Sequence, residues 1–324
     1  MTAKKKDAHI AQWKAPNLKG RIAVVTGASR GAGRGIACVL GECGATVYVT
    51  GRSVRGEPTT DNAPGTIEDT AAQVTARGGR GITVRCDHTD SKQVESLFEL
   101  IKHEHGKLDI LVNNAWGGYE GGPLEPKLFW QVDFAKHWRG MFIAGLGAHM
   151  LASYYAIPLM LPAPAKSGPQ KQGLVVSTVA WDHDKYIGNV YDISKHAIVR
   201  MIWGLSLELR SRGIAAIAVA PGFTRTERVL AAFGATEQNW RQFPGLKQSE
   251  TPEYVGRAIA SLAGDPKVMS KSGKTFRAGE LARLYRFTDV DGRRVSPFTV
   301  PQKFMKAFLE GPEAVQKLKK KSRQ

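Results

Sequence analysis

The sequence predicts an α/β protein: a single doubly wound domain, with a parallel sheet of about seven strands and helices on both faces. Three observations predict it. A short apolar run, Ile22–Val25, passes straight into a glycine-rich turn and then a helical pattern, within RIAVVTGASRGAGRGI at 21–36. Further apolar runs of strand length alternate with helical segments, the order expected of a parallel sheet rather than of hairpins. The length, 324 residues, suits one large domain with extensions.

The elements follow in order. Residues 1–19 read as a basic N-terminal extension. Their basic residues have no apolar stretch behind them, so they do not form a secretory signal. The domain spans 20–280. Thr26-Gly27 breaks the first strand; Gly31, Gly33 and Gly35 follow, and Ile36, Ala37, Val39 and Leu40 fall on neighbouring helical turns. A strand, a glycine turn and a helix make a phosphate cradle, because glycines let the backbone approach an anion and the helix N-terminus offers free N–H groups. Strands are expected at Thr46–Thr50, Gly81–Cys86, Ile110–Val112, Leu174–Ser177 and Ala215–Ala220, with a seventh near Lys274–Ala278. Arg52–Gly65 and the Pro/Gly/Lys-rich Pro162–Gly173 read as surface loops. The remainder, 281–324, is a C-terminal extension with a basic tail, carrying Phe298, Phe304, Met305, Phe308 and Leu309.

Net charge is +17, and more than half of it sits at the two ends: +4 in residues 1–20 and +5 in 301–324. The tails read as solvated ends rather than as nucleic-acid or lipid contacts, and a basic body suits an anionic cofactor. Cys38, Cys43 and Cys86 are too few for a disulfide framework and lack metal spacing. No metal is expected, and a reducing, cytoplasmic setting is. No apolar run reads as long enough to span a bilayer.

Tyr191 and Lys195 stand i, i+4 in a helical stretch whose Ile198, Met201, Ile202, Leu205 and Leu209 share one face. A nearby ammonium favours a phenolate, so the pair is a candidate acid/base with a lowered Tyr191 pKa. At the end of the second strand comes Gly51-Arg52, where many NAD sites carry an acid that would repel a 2′-phosphate. Arg52 therefore favours NADP(H), with NAD(H) the alternative; Arg30, inside the glycine loop, is a second cation.

Thr-Gly-x-x-x-Gly-x-Gly at 26–33, Asn113-Asn114-Ala115, Tyr191-x-x-x-Lys195 and Pro221-Gly222 occur in that order, each group following an expected strand. Together they resemble the short-chain dehydrogenase/reductase family in its classical form, over residues 20 to about 265. The resemblance implies a Rossmann-type fold and an oxidoreductase acting on a carbonyl or secondary alcohol, assembled as a homodimer or homotetramer. It places Gly27, Ser29, Arg30, Gly31, Ala32 and Gly33 around the phosphates. It sets Asp87 by the adenine, Asn114 and Ala115 along the cofactor, Tyr191 and Lys195 at the ribose, and Pro221, Gly222 and Thr224 by the nicotinamide. The same resemblance puts a substrate-binding hydroxyl thirteen residues before Tyr191, which falls on Thr178, with Ser177 as the near alternative.

The chain departs from the family in two places. Trp116 replaces the glycine after Asn-Asn-Ala, and Gly145 stands where family members often have a proton-relaying Asn. At Gly145 the local pattern resembles the dehydrogenase/reductase member 1 subgroup. A relay through water, or through carbonyls exposed where glycine bends the helix, would replace the Asn. The segment 222–250, with Phe223, Phe233, Trp240 and Phe243, resembles the family's mobile lid. With Trp116, Trp181 and Tyr186 its aromatics are expected to line a hydrophobic substrate cleft. A non-catalytic NADP(H)-binding sensor or scaffold is the competing function. An epimerase of the extended relatives is disfavoured by the glycine spacing.

Overall fold

The computed structural model describes residues 13–120, 126–161, 173–180 and 186–321. The loop at 162–172 and Trp181 lie outside them. Seven parallel strands form one sheet: β1 (Ile22–Val25), β2 (Thr46–Gly51), β3 (Arg80–Arg85), β4 (Ile110–Asn113), β5 (Gly173–Thr178), β6 (Ile214–Ala220) and β7 (Thr275–Arg277). Their order is β3-β2-β1-β4-β5-β6-β7, so the chain reverses direction across the sheet between β1 and β4. That reversal opens a crevice at the carboxyl ends of β1 and β4, the usual ligand site of such sheets. Ala23 faces Val47 on one side and Ile110 on the other, which fixes the register around the crevice. Every residue of β6, IAAIAVA, is buried, as a parallel strand covered on both faces should be.

The helices are α1 (Gly31–Glu42), α2 (Ile67–Ala76), α3 (Ser91–His105), α4 (Phe134–His137), α5 (Ala148–Met160), α6 (Asn189–Leu209), α7 (Glu227–Phe233), α8 (Pro252–Ala263), α9 (Ala278–Tyr285), α10 (Gln302–Glu310) and α11 (Pro312–Lys321). On one face of the sheet Ile36 and Leu40 of α1 pack with Tyr254 and Ile259 of α8. On the other, Phe98 and Ile101 of α3 join Ala152 and Ala156 of α5 and Ile198 and Ile202 of α6. Helix α1 and α8 touch backbone to backbone. A Cβ on Gly35 would lie 2.2 Å from the Pro252 carbonyl carbon, and one on Gly256 would lie 2.8 Å from the Gly35 oxygen.

One expectation changes here. Between α4 and α5 lies a π-helical stretch, Trp138–Gly147, rich in glycine, and the three segments run on as one helix, Phe134–Met160. That run is long and apolar enough to cross a membrane by length and composition, contrary to the sequence reading. Residues of its α5 part are packed on the sheet, and about a third of its apolar window is buried. The C-terminal residues also find a place. Helix α9 runs across the expected boundary at 280, and Asp289 accepts hydrogen bonds from the backbone N–H and hydroxyl of Thr251 at the start of α8. Ala307, Phe308 and Val315 of α10 and α11 then form a small core with Tyr186.

Candidate active site

The glycine turn is built by close approach. Gly27 has φ +63°, and a Cβ there would come within 2.8 Å of the Ala115 Cα, so the turns after β1 and β4 touch through their backbones. Thr26, first residue of the motif, ties the two together. Its hydroxyl accepts the N–H groups of Asn114 (2.8 Å) and Ala115 (2.9 Å), while the Asn114 side chain donates to the carbonyls of Thr26 and Gly27. Ser29 is buried, and Gly31, Ala32 and Gly33 open α1.

The N-terminus of α1 already faces an anion. Glu227, first residue of α7, accepts the Gly31 N–H at 2.9 Å and pairs with Arg34 at 2.6 Å. Its neighbour Arg228 donates to the Tyr119 carbonyl (2.7 Å) and to Asp61 (2.8 Å). Helix α7 is thus strapped across the crevice. The carboxylate stands in for the kind of group a dinucleotide pyrophosphate would bring, and the cradle fits such a group.

The two candidate cations are held differently. Arg30 folds into the loop after β2, donating to the carbonyls of Pro64, Ala63 and Gly65 and to the Ser53 hydroxyl, and its burial lowers its pKa. Arg52 is 39% exposed at its side chain, paired with Glu120 and 3.9 Å from Asp87. Asp87 also caps its own turn by accepting the Thr89 N–H and hydroxyl.

Near the sixth strand, Pro221-Gly222 is fixed from below. The buried Glu250 accepts the Gly222 N–H at 2.8 Å and the Thr224 hydroxyl at 3.3 Å; burial pushes its pKa up to about 8. Sequence reading missed Glu250, which no spacing motif marks. At the end of β5, Thr178 lies 3.4 Å from the Asn114 side-chain oxygen, whereas the fully buried Ser177 hydroxyl has no hydrogen-bond partner among the described residues.

Tyr191 and Lys195 are both buried in α6, each 7% exposed. Their surroundings differ from the expectation. The Tyr191 hydroxyl is bonded at 3.1 Å to the hydroxyl of Tyr119, a residue the motifs did not mark. Burial, and then Tyr119, hold the Tyr191 pKa well above its ordinary value, so the expected depression by Lys195 is not what dominates here. The Lys195 ammonium lies 3.4 Å from the centre of the Trp116 indole ring, and burial lowers its pKa to about 7. Among the described residues no carboxylate pairs with it.

Trp116 explains Gly145. A Cβ at 145 would lie 2.6 Å from Cζ3 and 2.8 Å from Cε3 of the indole. The glycine makes room for the ring that replaces the family's glycine. His149, one turn on, reaches the Ala115 carbonyl at 3.1 Å, and Ser153 accepts from Asn113 at 2.9 Å, so α5 holds the β4 turn from behind.

The aromatics of 222–250, expected to line the cleft, pack first on one another. Phe223, Phe233 and Phe243 surround Trp240, Leu230 and Leu246 in a small core of the segment's own. The wall near Tyr191 is made instead by Met141, Ile187, Val190 and Phe308, the last from the C-terminal extension. Tyr186 packs edge-on to Phe308, at 6.0 Å between ring centres.

With this geometry in place, the comparisons agree. The family model for short chain dehydrogenase matches residues 21–235. The chain is 37% identical over 290 residues to dehydrogenase/reductase SDR family member 1 of Mus musculus, covering 87% of both chains. It is 36% identical over 291 residues to the Homo sapiens protein of the same name, again with 87% of each covered. A solved short chain dehydrogenase from Burkholderia cenocepacia, in complex with NADP, is 26% identical, with a TM-score of 0.62 over 81% of this chain and 96% of that one. The glycine cradle, the Tyr191–Lys195 pair and these relatives agree that the chain is a dehydrogenase/reductase enzyme belonging to the short-chain dehydrogenase/reductase family, in the subgroup of family member 1.

Proposed function

We propose that this enzyme uses NADP(H) to interconvert a hydrophobic carbonyl compound and its secondary alcohol. The observation that carries the reading is the meeting of the buried Tyr191 and Lys195 with the β4 and β5 ends, beside a helix N-terminus that already takes an anion. When bound, the nicotinamide supplies or accepts the hydride. Tyr191 carries the proton to and from the substrate oxygen, and Thr178 orients that oxygen, with Ser177 as alternate donor. Lys195 and Asn114 hold the ribose side, and Gly222 and Thr224 border the nicotinamide. The preference for NADP(H) is supported by Arg30 and Arg52 and by the lack of an acid at position 52; a relative solved with NADP fits it. NAD(H) use remains compatible with the cradle.

The wall of Met141, Ile187 and Phe308 supports an apolar substrate. Exposed Met150 and Tyr154 on α5, with Ile193, Trp203 and Leu207 on α6, support a homodimer or homotetramer through those faces. Three free, buried cysteines support a reducing, cytoplasmic setting. Ketones, aldehydes and quinones offered with NADPH and NADH, followed by loss of reduced-cofactor absorbance, test the activity. Tyr191→Phe should lower turnover at least ~10²-fold, the lower scale for removing a general acid/base, with cofactor affinity nearly unchanged. Turnover close to the parent's would show that another group carries the proton.

A further inference from the structure

We propose that Glu250 is a positioning residue for the nicotinamide half of the cofactor: it sets the height of the 221–225 turn, and the turn 289–293 of the C-terminal extension clamps it there. The proposal rests on the reading that the nicotinamide lies along Gly222 and Thr224. The chain leaves the sheet after Ala220, so a neighbour must take the backbone groups of the turn that follows. Segment 249–251 does so as a single parallel rung. The Glu250 N–H donates to the Phe223 carbonyl at 3.0 Å, and the Glu250 carbonyl accepts the Arg225 N–H at 2.9 Å. Between these two bonds the Glu250 side chain accepts the Gly222 N–H at 2.8 Å and stands 3.3 Å from the Thr224 hydroxyl. Gly222 rests directly on it. A Cβ there would lie 2.6 Å from Glu250 Oε2 and 3.1 Å from Cβ of Phe298. The turn therefore cannot sink, and it cannot rise without giving up these bonds.

Glu250 is itself held from both sides by the C-terminal extension. The Thr251 N–H donates to Asp289 at 2.8 Å. The Ser249 carbonyl accepts from Arg225 at 3.3 Å and from Arg293 at 2.8 Å. Asp291 lies between those two guanidiniums, 3.2 Å from Arg225 and 2.8 Å from Arg293. Both lie over the Trp240 ring, 4.1 and 4.6 Å from its centre. The 289–293 turn closes on itself, with the Asp289 N–H on the Arg293 carbonyl at 2.8 Å. Arg225, Trp240 and Asp289 are at most 2% exposed, and breaking up such buried pairs is far more costly than breaking surface ones. Burial also pushes the Glu250 pKa up to about 8, so near neutral pH the group acts through its oxygen rather than its charge. Hydride transfer needs the nicotinamide placed closely, and a misplacement of about 1 Å from a change far from the chemistry can cost ~10²-fold. The adenine half is read at the ends of β1 and β2, and β4 and β5 stand between β1 and β6 in the sheet. A loosened turn should therefore be felt at one end of the cofactor only.

The test compares Glu250→Met, which keeps the length of the side chain and removes the acceptor, with Glu250→Gln, which keeps an acceptor oxygen. Each is titrated with NADPH and with adenosine 2′,5′-bisphosphate, which carries the adenine end alone. Glu250→Met should bind NADPH at least ~10-fold more weakly, the scale of leaving a buried N–H unpaired, and the bisphosphate within ~2-fold of the parent. Its kcat at saturating NADPH should fall ~10-fold or more. Glu250→Gln should recover most of both losses. Without cofactor, hydrogen exchange at the Gly222 amide should quicken ~10-fold or more in Glu250→Met and far less in Glu250→Gln. Asp291→Asn removes the shared charge without touching the turn, and should show the same selective loss of NADPH. Parent-like Gly222 exchange in Glu250→Met, equal losses for the two ligands, or a Gln variant as damaged as Met overturns the role of Glu250. Asp291→Asn with no selective loss overturns the clamp, and it decides the proposal if Glu250→Met does not fold. Faster Gly222 exchange with NADPH affinity and kcat unmoved overturns the reading beneath, because the turn is then held by Glu250 but does not meet the nicotinamide.

Discussion

Gly145 offers the sharpest test of how this site is built. A methyl group at 145 would stand 2.6 and 2.8 Å from two carbons of the Trp116 ring, where ordinary contact begins near 3.4 Å. The indole would have to retreat by nearly an ångström, yet its surroundings leave little freedom. Lys195 lies on it at 3.4 Å, Gly118 closes on its edge, and Tyr191 stands against it. Overpacking of this kind costs about 1–3 kcal/mol. For a chain of this size that is a fall in Tm of roughly 2–6 °C, taking the lower end, about 2 °C per kcal/mol, of the usual range. Gly145→Asn is larger and adds an amide with no partner in an apolar place, so it should be worse than Gly145→Ala in both Tm and kcat. The double variant Gly145→Asn with Trp116→Gly restores the space and should recover several degrees, a coupling that contact predicts and distance would not. Tm is read by thermal unfolding, and kcat at saturating cofactor with the best panel substrate. An Asn variant as stable as the parent and more active than Ala would refute the packing argument and revive a relay at this position.

Three other changes probe the rest of the site. Arg52→Asp adds a third acid beside Asp87 and Glu120, and should lower the ratio of kcat/KM for NADPH over NADH by ~10-fold or more, as expected for losing a charge-assisted contact; an unchanged ratio removes Arg52 from phosphate recognition. Glu227→Gln keeps the side chain's shape at the α1 N-terminus but not its charge, so NADPH should bind a few-fold tighter, more so at low salt, by fluorescence titration. Weaker binding would mean that the lid contact supports the cradle rather than competing for it. Phe308→Ala should lower Tm and shift kcat/KM towards bulkier ketones by ~3-fold or more; a lower Tm with no change in substrate ranking would leave α10 a structural prop.

The sheet was legible because its strands are β-branched runs closed by glycine or proline signals. β1 falls at Ile22–Val25 as expected, and the others differ from expectation by a residue or two at their ends. The spacing of Tyr191 and Lys195 was legible because a helix turns what is four apart into neighbours. What stayed hidden depends on contacts that no local pattern encodes. Trp116 and Gly145 look like two unrelated departures until one ring is seen filling the place of a missing side chain. Tyr119 belongs to no motif, and Glu227 meets Gly31 across most of the domain. The aromatics of 222–250 were read as cleft residues, but a segment with enough apolar side chains to bury its own core turns them inward.

The backbone contact between α1 and α8 bears on how the chain can be made. The phosphate helix is synthesised early, yet the surface that supports its glycine face, from Pro252 to Gly256, follows about 220 residues later. Until then the glycine face of α1 is uncovered, and the helix has only the sheet and α2 to pack against. The packing of the nucleotide-binding half is therefore complete only when α8 is in place. A fragment ending before α8 holds every glycine of the motif but lacks one wall of the helix that carries them. Closing that loop is a non-local event of the kind that slows folding.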